Sequence, residues 1–240
     1  MLKSKIIFPF VVCGFLLSAA SPAFAKFPNV VKHAEGDIRY TFGYWPVLLI
    51  GGGALTAGLL TQADHSVQGH FKTKHLGVAD DVAGVIGEPY VLDPAALVLF
   101  GAGQLSHNEK LSVTGETLLE SLLFTDAMSG ILKLSFHRKR PNGGNYSFPS
   151  NHAASMFAVA TSLETLYGPI AGVPAYMAAG FVSFTRLDQN AHYLSDVVFG
   201  AALGSAIGWG TSHFHKLENP KLFFIPSVAG GAGFSVAGRF

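Results

Sequence analysis

Residues 148–160 read FPSNHAASMFAVA, and how this stretch is read decides the fold. Pro149, Ser150 and Asn151 make a loop that ends in a helix cap, because a serine hydroxyl can satisfy the free N–H groups of a first turn. Small and apolar residues then continue as a helix to about Tyr167, where Gly168-Pro169 breaks it. His152 stands at the junction. A lone histidine there is best read as packed and hydrogen-bonded. The unpaired N–H groups of a helix start also make an anion site, however, and His152 lies beside it.

Outward from this stretch the chain repeats the same kind of element. Residues 171–185 and about 192–215 read as two further apolar helices, and residues 114–139 as a long one in which Leu118, Leu119, Leu122, Leu123, Met128 and Ile131 recur at roughly helical spacing. Pro141-Asn142-Gly143-Gly144-Asn145 is a loop by composition. Upstream lie an uncharged stretch at 40–63, a polar segment at 64–88 with a short helix at 79–86, and an apolar segment at 95–105 opened by Asp93-Pro94. The class is all-α. The tail, residues 219–240, alternates Phe, Val and Ser around Gly230-Gly231 and reads as a small C-terminal β-hairpin.

Composition narrows the setting. Of 240 residues only 13% are charged, 28 are glycine, and mean hydropathy is +0.37. A formal charge of +1 gives no case for a nucleic-acid partner. Residues 1–25 read as a signal peptide: Lys3 and Lys5, a short apolar run, then Ala23-Phe24-Ala25 as a small-x-small cleavage site. The single cysteine, Cys13, lies inside that segment, so a cleaved chain has no disulfide or cysteine chemistry. This leaves residues 26–218 as the helical domain, with the motifs inside 114–215.

Three clusters can carry chemistry. In KLSFHRKRP, Lys133 and Arg140 are seven residues apart, about two helical turns, so both would project from one face and grip a multivalent anion. The bland reading is a basic helix end complementing its dipole, which His137, Arg138 and Lys139 fit well. The second cluster is Ser150, Asn151 and His152. The third is TRLDQNAHYLSDV, where His192 and Asp196 are four residues apart and would share a helical face. A carboxylate there can take a proton from one ring nitrogen and leave the other as a nucleophile, with Arg186 as a further anion binder. Together the cations, histidines and carboxylate suit metal-free phosphoryl transfer, where charge on the equatorial oxygens needs fixed donors.

In order and internal spacing these motifs resemble the superfamily of type 2 phosphatidic acid phosphatases, bacterial class A acid phosphatases and vanadium haloperoxidases. The family pattern K-x6-R-P, P-S-G-H and S-R-x5-H-x3-D reads here as Lys133 to Arg140-Pro141, Pro149-Ser150-Asn151-His152, and Thr185-Arg186 with His192 and Asp196. The resemblance implies a helical bundle with the site at one end. It implies that His192 forms a phosphohistidine, that Asp196 orients it, and that His152 protonates the leaving group. Lys133, Arg140 and Arg186 would hold the phosphate, with Ser150 and the Asn151 N–H assisting. No metal or other cofactor is implied for phosphatase activity. Two positions depart: Asn151 stands where the family has glycine, and Thr185 where it has serine.

The expected function is an exported, metal-independent phosphatase acting on monoesters or diphosphates, on lipids by preference, in the periplasm or on the outer face of the cytoplasmic membrane. Vanadate is expected to inhibit it, and membrane association is expected from uncharged stretches at 40–63, 165–185 and 197–215. The competing readings are a vanadium-dependent haloperoxidase, since such a pocket holds vanadate, and a non-catalytic envelope protein. His65, His70, His75, His213 and His215 show no acidic or cysteine partner in the sequence and read as ordinary histidines.

Overall fold

Apolar repeats broken by Gly, Pro and Asn become nine helices in the computed structural model, which describes residues 30–71 and 76–223. They are α1 (Val30–Thr41), α2 (Tyr44–Leu60), α3 (Asp64–Phe71), α4 (Val78–Ile86), α5 (Pro89–Leu105), α6 (Glu109–Phe136), α7 (Asn151–Tyr167), α8 (Pro169–Asp188) and α9 (Leu194–Glu218). No strand occurs among the described residues. The signal segment and residues 224–240 of the tail read as a hairpin fall outside them. The chain divides into two units, residues 1–36 and 37–240. Of the first, the described residues 30–36 begin α1. The architecture that follows is that of the second.

Helix α7 is central and packs against α9, α8 and α6; α5 lies on α6, α2 on α9, and α4 on α8. Glycine sets the closest of these approaches. A side chain at Gly200 of α9 would sit 2.5 Å from the Ser150 carbonyl oxygen, and side chains at Gly204 and Gly208 would strike the carbonyls of Ala154 and Ala158. Each step is one helical turn on both helices, so a smooth stripe of α9 lies against the backbone of α7. This close approach brings the start of α7 to the start of α9, where the Ser150 N–H donates to the Asp196 carbonyl oxygen at 3.0 Å.

Helix ends follow local chemistry. Gly168 (φ 78°) closes α7 in a conformation that L side chains rarely adopt, and Pro169 opens α8, where its missing N–H has no cost. At α6 the expected end near residue 139 comes three residues early. His137 turns left-handed (φ 47°), and its N–H closes on the Lys133 carbonyl oxygen at 3.1 Å.

The distribution of side chains is inverted relative to a water-soluble bundle. Thr117, Ser121, Thr125, Ser155, Ser162, Thr211 and Ser212 are fully buried. Ile170, Val173, Met177, Phe181 and Phe184 form an exposed apolar stripe along α8. Among the described residues one helix, Pro169–Asp188, is long and apolar enough to cross a membrane, or up to three spans if the bent pairs α1–α2 and α4–α5 each count as one. Residues 197–215, expected to be of membrane length and uncharged, lie within a helix that does not meet that test.

Candidate active site

Four helix ends meet: the last turn of α6, the first of α7, the last of α8 and the first of α9. They bring together all eight residues singled out in the sequence, in several cases by a different route.

Lys133 and Arg140 do not share a helical face, because α6 stops at Phe136 and Arg140 lies in the following loop. That loop folds back on itself: the Arg140 N–H donates to the Gly144 carbonyl oxygen at 2.8 Å and its Nε to that of Asn145 at 3.1 Å. Lys133 Nζ donates to the carbonyl oxygens of Pro149 (2.6 Å) and Tyr146 (3.0 Å). An ammonium has three donors, so one is left over. Burial, and then neighbouring Arg140, pull its pKa down to about 8.

Ser150 occupies the cap position of α7, but its side chain caps nothing: Oγ is fully buried without a hydrogen-bond partner. Asn151 does not project its amide donor into a pocket. Nδ2 donates to Asp126 Oδ1 of α6 at 2.9 Å. Asp126 also accepts from Ser155 Oγ at 3.4 Å and is hydrogen-bonded to the Asp93 side chain. His152 Nε2 lies 3.0 Å from the Gly84 carbonyl oxygen, which can only accept, so this nitrogen carries the hydrogen. Arg186 Nη1 is 3.3 Å from the same nitrogen and Glu88 Oε1 3.5 Å. Burial, and then Arg186, push the His152 pKa down to about 3, so in the unliganded site it is neutral.

Arg186, at the end of α8, is buried; Nη2 donates to the Asp80 carbonyl oxygen at 3.3 Å and to Thr185 Oγ1 at 3.2 Å, while its buried Nε has no hydrogen-bond partner. Thr185 in place of serine keeps the hydroxyl in use, donating to the Val182 carbonyl oxygen at 2.8 Å, and its methyl group is fully buried. The Ser150 hydroxyl and the Arg186 Nε are thus two unsatisfied buried donors among cations, as an oxyanion site requires.

His192 is not on the helix with Asp196. It precedes α9, which starts at Leu194. Its Nδ1 lies 2.7 Å from the Ser147 carbonyl oxygen, so Nδ1–H donates there and Nε2 keeps its lone pair. Asp196 Oδ2 is 3.9 Å from Nδ1, beyond hydrogen-bond range. Burial, and then Arg140 and Lys133 against an opposing Asp196, bring the His192 pKa down to about 4. Asp196 accepts instead from Ser147 Oγ (2.5 Å) and the Tyr193 N–H (2.9 Å) at Oδ2, and from Arg138 Nη1 (2.5 Å) at Oδ1. Burial opposes its ionisation, but neighbouring His192, these bonds and Arg138 outweigh it and hold the carboxyl below the usual range.

The sequence reading missed this second layer. Arg138 is more than part of a helix-end charge pattern: it bridges Asp196 and Asp64 (Nη2–Oδ2 2.7 Å) and lies 4.3 Å over the Tyr193 ring. Asp64 further accepts from the Ser195 N–H at 3.0 Å and Oγ at 2.6 Å. Its one sequence signal is position: a carboxylate closing an uncharged stretch has to be paired if that stretch is buried. His215, which has no evident acidic partner in the sequence, contacts Glu120 Oε2 through Nε2 at 2.6 Å.

The PAP2 superfamily model matches residues 116–220, which contain this whole constellation apart from Asp64, Asp80, Gly84, Glu88 and Asp93. Over 101 residues the chain is 39% identical to the lipid A 1-phosphatase of Porphyromonas gingivalis, covering 39% of this chain and 23% of that one. Over 94 residues it is 36% identical to the lipid A 4'-phosphatase of Bacteroides thetaiotaomicron, covering 38% and 41%. The matched segments span less than half the length of either relative. Among solved structures, a transmembrane PAP2 type phosphatidylglycerolphosphate phosphatase from Bacillus subtilis superposes with a TM-score of 0.62 at 20% identity, over 73% of this chain and 98% of that one. Aquifex aeolicus LpxE superposes at 0.50 with 21% identity, over 62% and 91%. The fold is that of these phosphatases.

Proposed function

We propose that this chain, whose residues 116–220 match the PAP2 superfamily model, is a phosphoric ester hydrolase that removes phosphate from a lipid by way of a phosphohistidine. The observation that carries this reading is the state of His192. Its Nδ1–H is held by the Ser147 carbonyl, its Nε2 is unprotonated, and Lys133 and Arg140 act on it.

The phosphoryl group would bind among Lys133, Arg140, Arg186, the Ser150 hydroxyl and the first-turn N–H groups of α7. His192 Nε2 attacks phosphorus, and the bond from phosphorus to the leaving oxygen breaks. His152 gives that oxygen a proton. Water then attacks the phosphohistidine, His152 takes the water's proton, and the phosphorus–nitrogen bond breaks to release phosphate. His152 is neutral in the unliganded site. A phosphate dianion placed against it favours its charged form, so substrate supplies the field that makes it an acid. Vanadate is expected to inhibit in the same cradle.

A lipid substrate is supported by the two lipid A phosphatase relatives and by the inverted surface. An apolar outside over a Ser/Thr-rich inside suits helices that pack within a bilayer. The site then lies on the outer side of the cytoplasmic membrane, given a signal segment at residues 1–25. Purified protein in detergent micelles should release phosphate from a long-chain lipid phosphomonoester without added metal. His192→Ala should reduce turnover by at least about a thousandfold, as expected when a covalent nucleophile is lost. Full turnover in that variant would refute the mechanism.

A further inference from the structure

Glu88 is an acidic group inside a cationic site. It is the N-cap residue of α5, yet its side chain caps no backbone N–H. Oε1 is 3.5 Å from His152 Nε2; burial raises the carboxyl's pKa, and Arg186 and Arg140 oppose this by favouring its charged form. Two glycines bring the corner between α4 and α5 this close. A side chain at Gly84 would lie 3.0 Å from Arg186 Nη2. One at Gly87 would lie 2.8 Å from His152 Cδ2 and 2.9 Å from Val182 Cγ1. The corner therefore faces the site with oxygens, the Gly84 carbonyl and the Glu88 carboxylate, neither of which can donate a hydrogen bond while Glu88 is ionised.

The inference rests on the phosphohistidine reading. In an in-line displacement the nucleophile and the leaving group lie on opposite sides of phosphorus. Glu88 flanks His152, the acid for the leaving group, so it stands where the leaving group stands. An alcohol or sugar leaving group carries no charge there. The leaving group of a diphosphate is itself a phosphate, and its oxygens would meet the carboxylate and carbonyl without a donor. Glu88 also engages part of the charge of Arg140 and Arg186, which a second phosphate would otherwise use.

We propose that Glu88 is a specificity-determining residue that selects phosphomonoesters over diphosphates. At separations near 6 Å in a partly solvated site, one added like-charge contact is expected to disfavour the diphosphate by about ten- to a hundredfold.

The test compares dodecyl phosphate with dodecyl diphosphate, using the full chain in detergent micelles and reading kcat/KM for each. The wild type should prefer the monoester by about tenfold or more. Glu88→Gln, which keeps the shape and removes the charge, should shrink that preference by about tenfold, and Glu88→Asp should retain it. Inorganic pyrophosphate should compete less well than orthophosphate in the wild type, a measurement that decides the question even if Glu88→Gln does not fold. A wild type that hydrolyses both substrates equally, or a ratio unmoved across the three proteins, overturns the role of Glu88 and leaves the phosphatase reading intact. Wild-type protein that releases phosphate from neither substrate overturns the phosphatase reading, and the selectivity with it.

Discussion

Replacing Arg138 by methionine removes a guanidinium that holds two buried carboxylates while keeping most of the packed stem. Asp196 and Asp64 have side chains 0% and 2% exposed, and Arg138 bonds them at 2.5 and 2.7 Å. Removing one partner of such a pair leaves an uncompensated buried charge and typically costs about 3–5 kcal/mol. Asp64 keeps Ser195, and Asp196 keeps Ser147 and the Tyr193 N–H, so the lower part of that range applies. For a domain of this size about 3 kcal/mol is a fall in Tm of about 6–12 °C. The pH dependence gives the prediction its sign. Asp196 has a folded-state pKa below its unfolded value, so its stabilisation is present at neutral pH and is lost as pH falls through the folded pKa. In Arg138→Met that pKa rises. The gap between wild type and variant should be widest at neutral pH and should close towards pH 3. The assay is thermal unfolding in detergent at several pH values, with turnover measured alongside. Equal melting at neutral pH, or a gap that does not change with pH, would refute the reasoning.

The pH profile of kcat/KM should have its acid limb near pH 4, where His192 is protonated, and not near the ordinary histidine value; His152 is neutral in the free enzyme, so the proton it donates enters with the substrate, and the basic limb should follow the second pKa of the substrate phosphate, with a further fall near pH 8 as the Lys133 ammonium is lost. A limb at pH 6.5 that persists with a substrate of different phosphate pKa would contradict the burial argument. Asn151→Gly restores the family residue but removes the bond to Asp126, so it should lower stability by about 1–2 kcal/mol while retaining turnover; loss of turnover with unchanged stability would mean that the amide acts on substrate. Gly204→Val forces a branched side chain against the Ala154 carbonyl. It should lower stability by at least about 1–3 kcal/mol and reduce turnover, because the same contact aligns the starts of α7 and α9. Unchanged melting would show that the two backbones can move apart freely.

Much of this fold was legible because the breaks are local. Gly168-Pro169 ends α7 where the sequence suggested, and the bounds of α7 agree; α8 opens at Pro169, two residues before the expected start at Ala171. The candidate site residues fall in three short motifs that lie in order. What connects them was not legible, and the reason is physical. Arg138 reaches Asp64 across 74 positions, and no periodicity encodes a pairing at that range. The left-handed turn at His137 cannot be inferred from a residue that is not glycine, and without it helical spacing puts Lys133 and Arg140 on one face. Asn151 could be seen as a departure, but the partner of its amide, Asp126, lies on another helix.

The relation between His192 and Asp196 differs most from the sequence expectation. One residue, Ser147, separates their tasks: its carbonyl accepts from His192 Nδ1, and its hydroxyl donates to Asp196 Oδ2. The carbonyl alone fixes the tautomer and aims Nε2. Asp196 is therefore free of that duty, and its fixed negative charge, 3.9 Å from Nδ1, acts through space. In the proposed mechanism the imidazole gains positive charge as Nε2 bonds to phosphorus. At an effective dielectric constant near 20, a unit charge at that distance is worth about 4 kcal/mol, more than the net contribution of a typical hydrogen bond. Arg138 and Ser147 weaken this field, but they keep Asp196 ionised and in place inside a buried site. An uncommitted carboxylate would instead take up a proton there, so the bonds that draw Asp196 away from His192 are also what preserve its charge for the step that needs it.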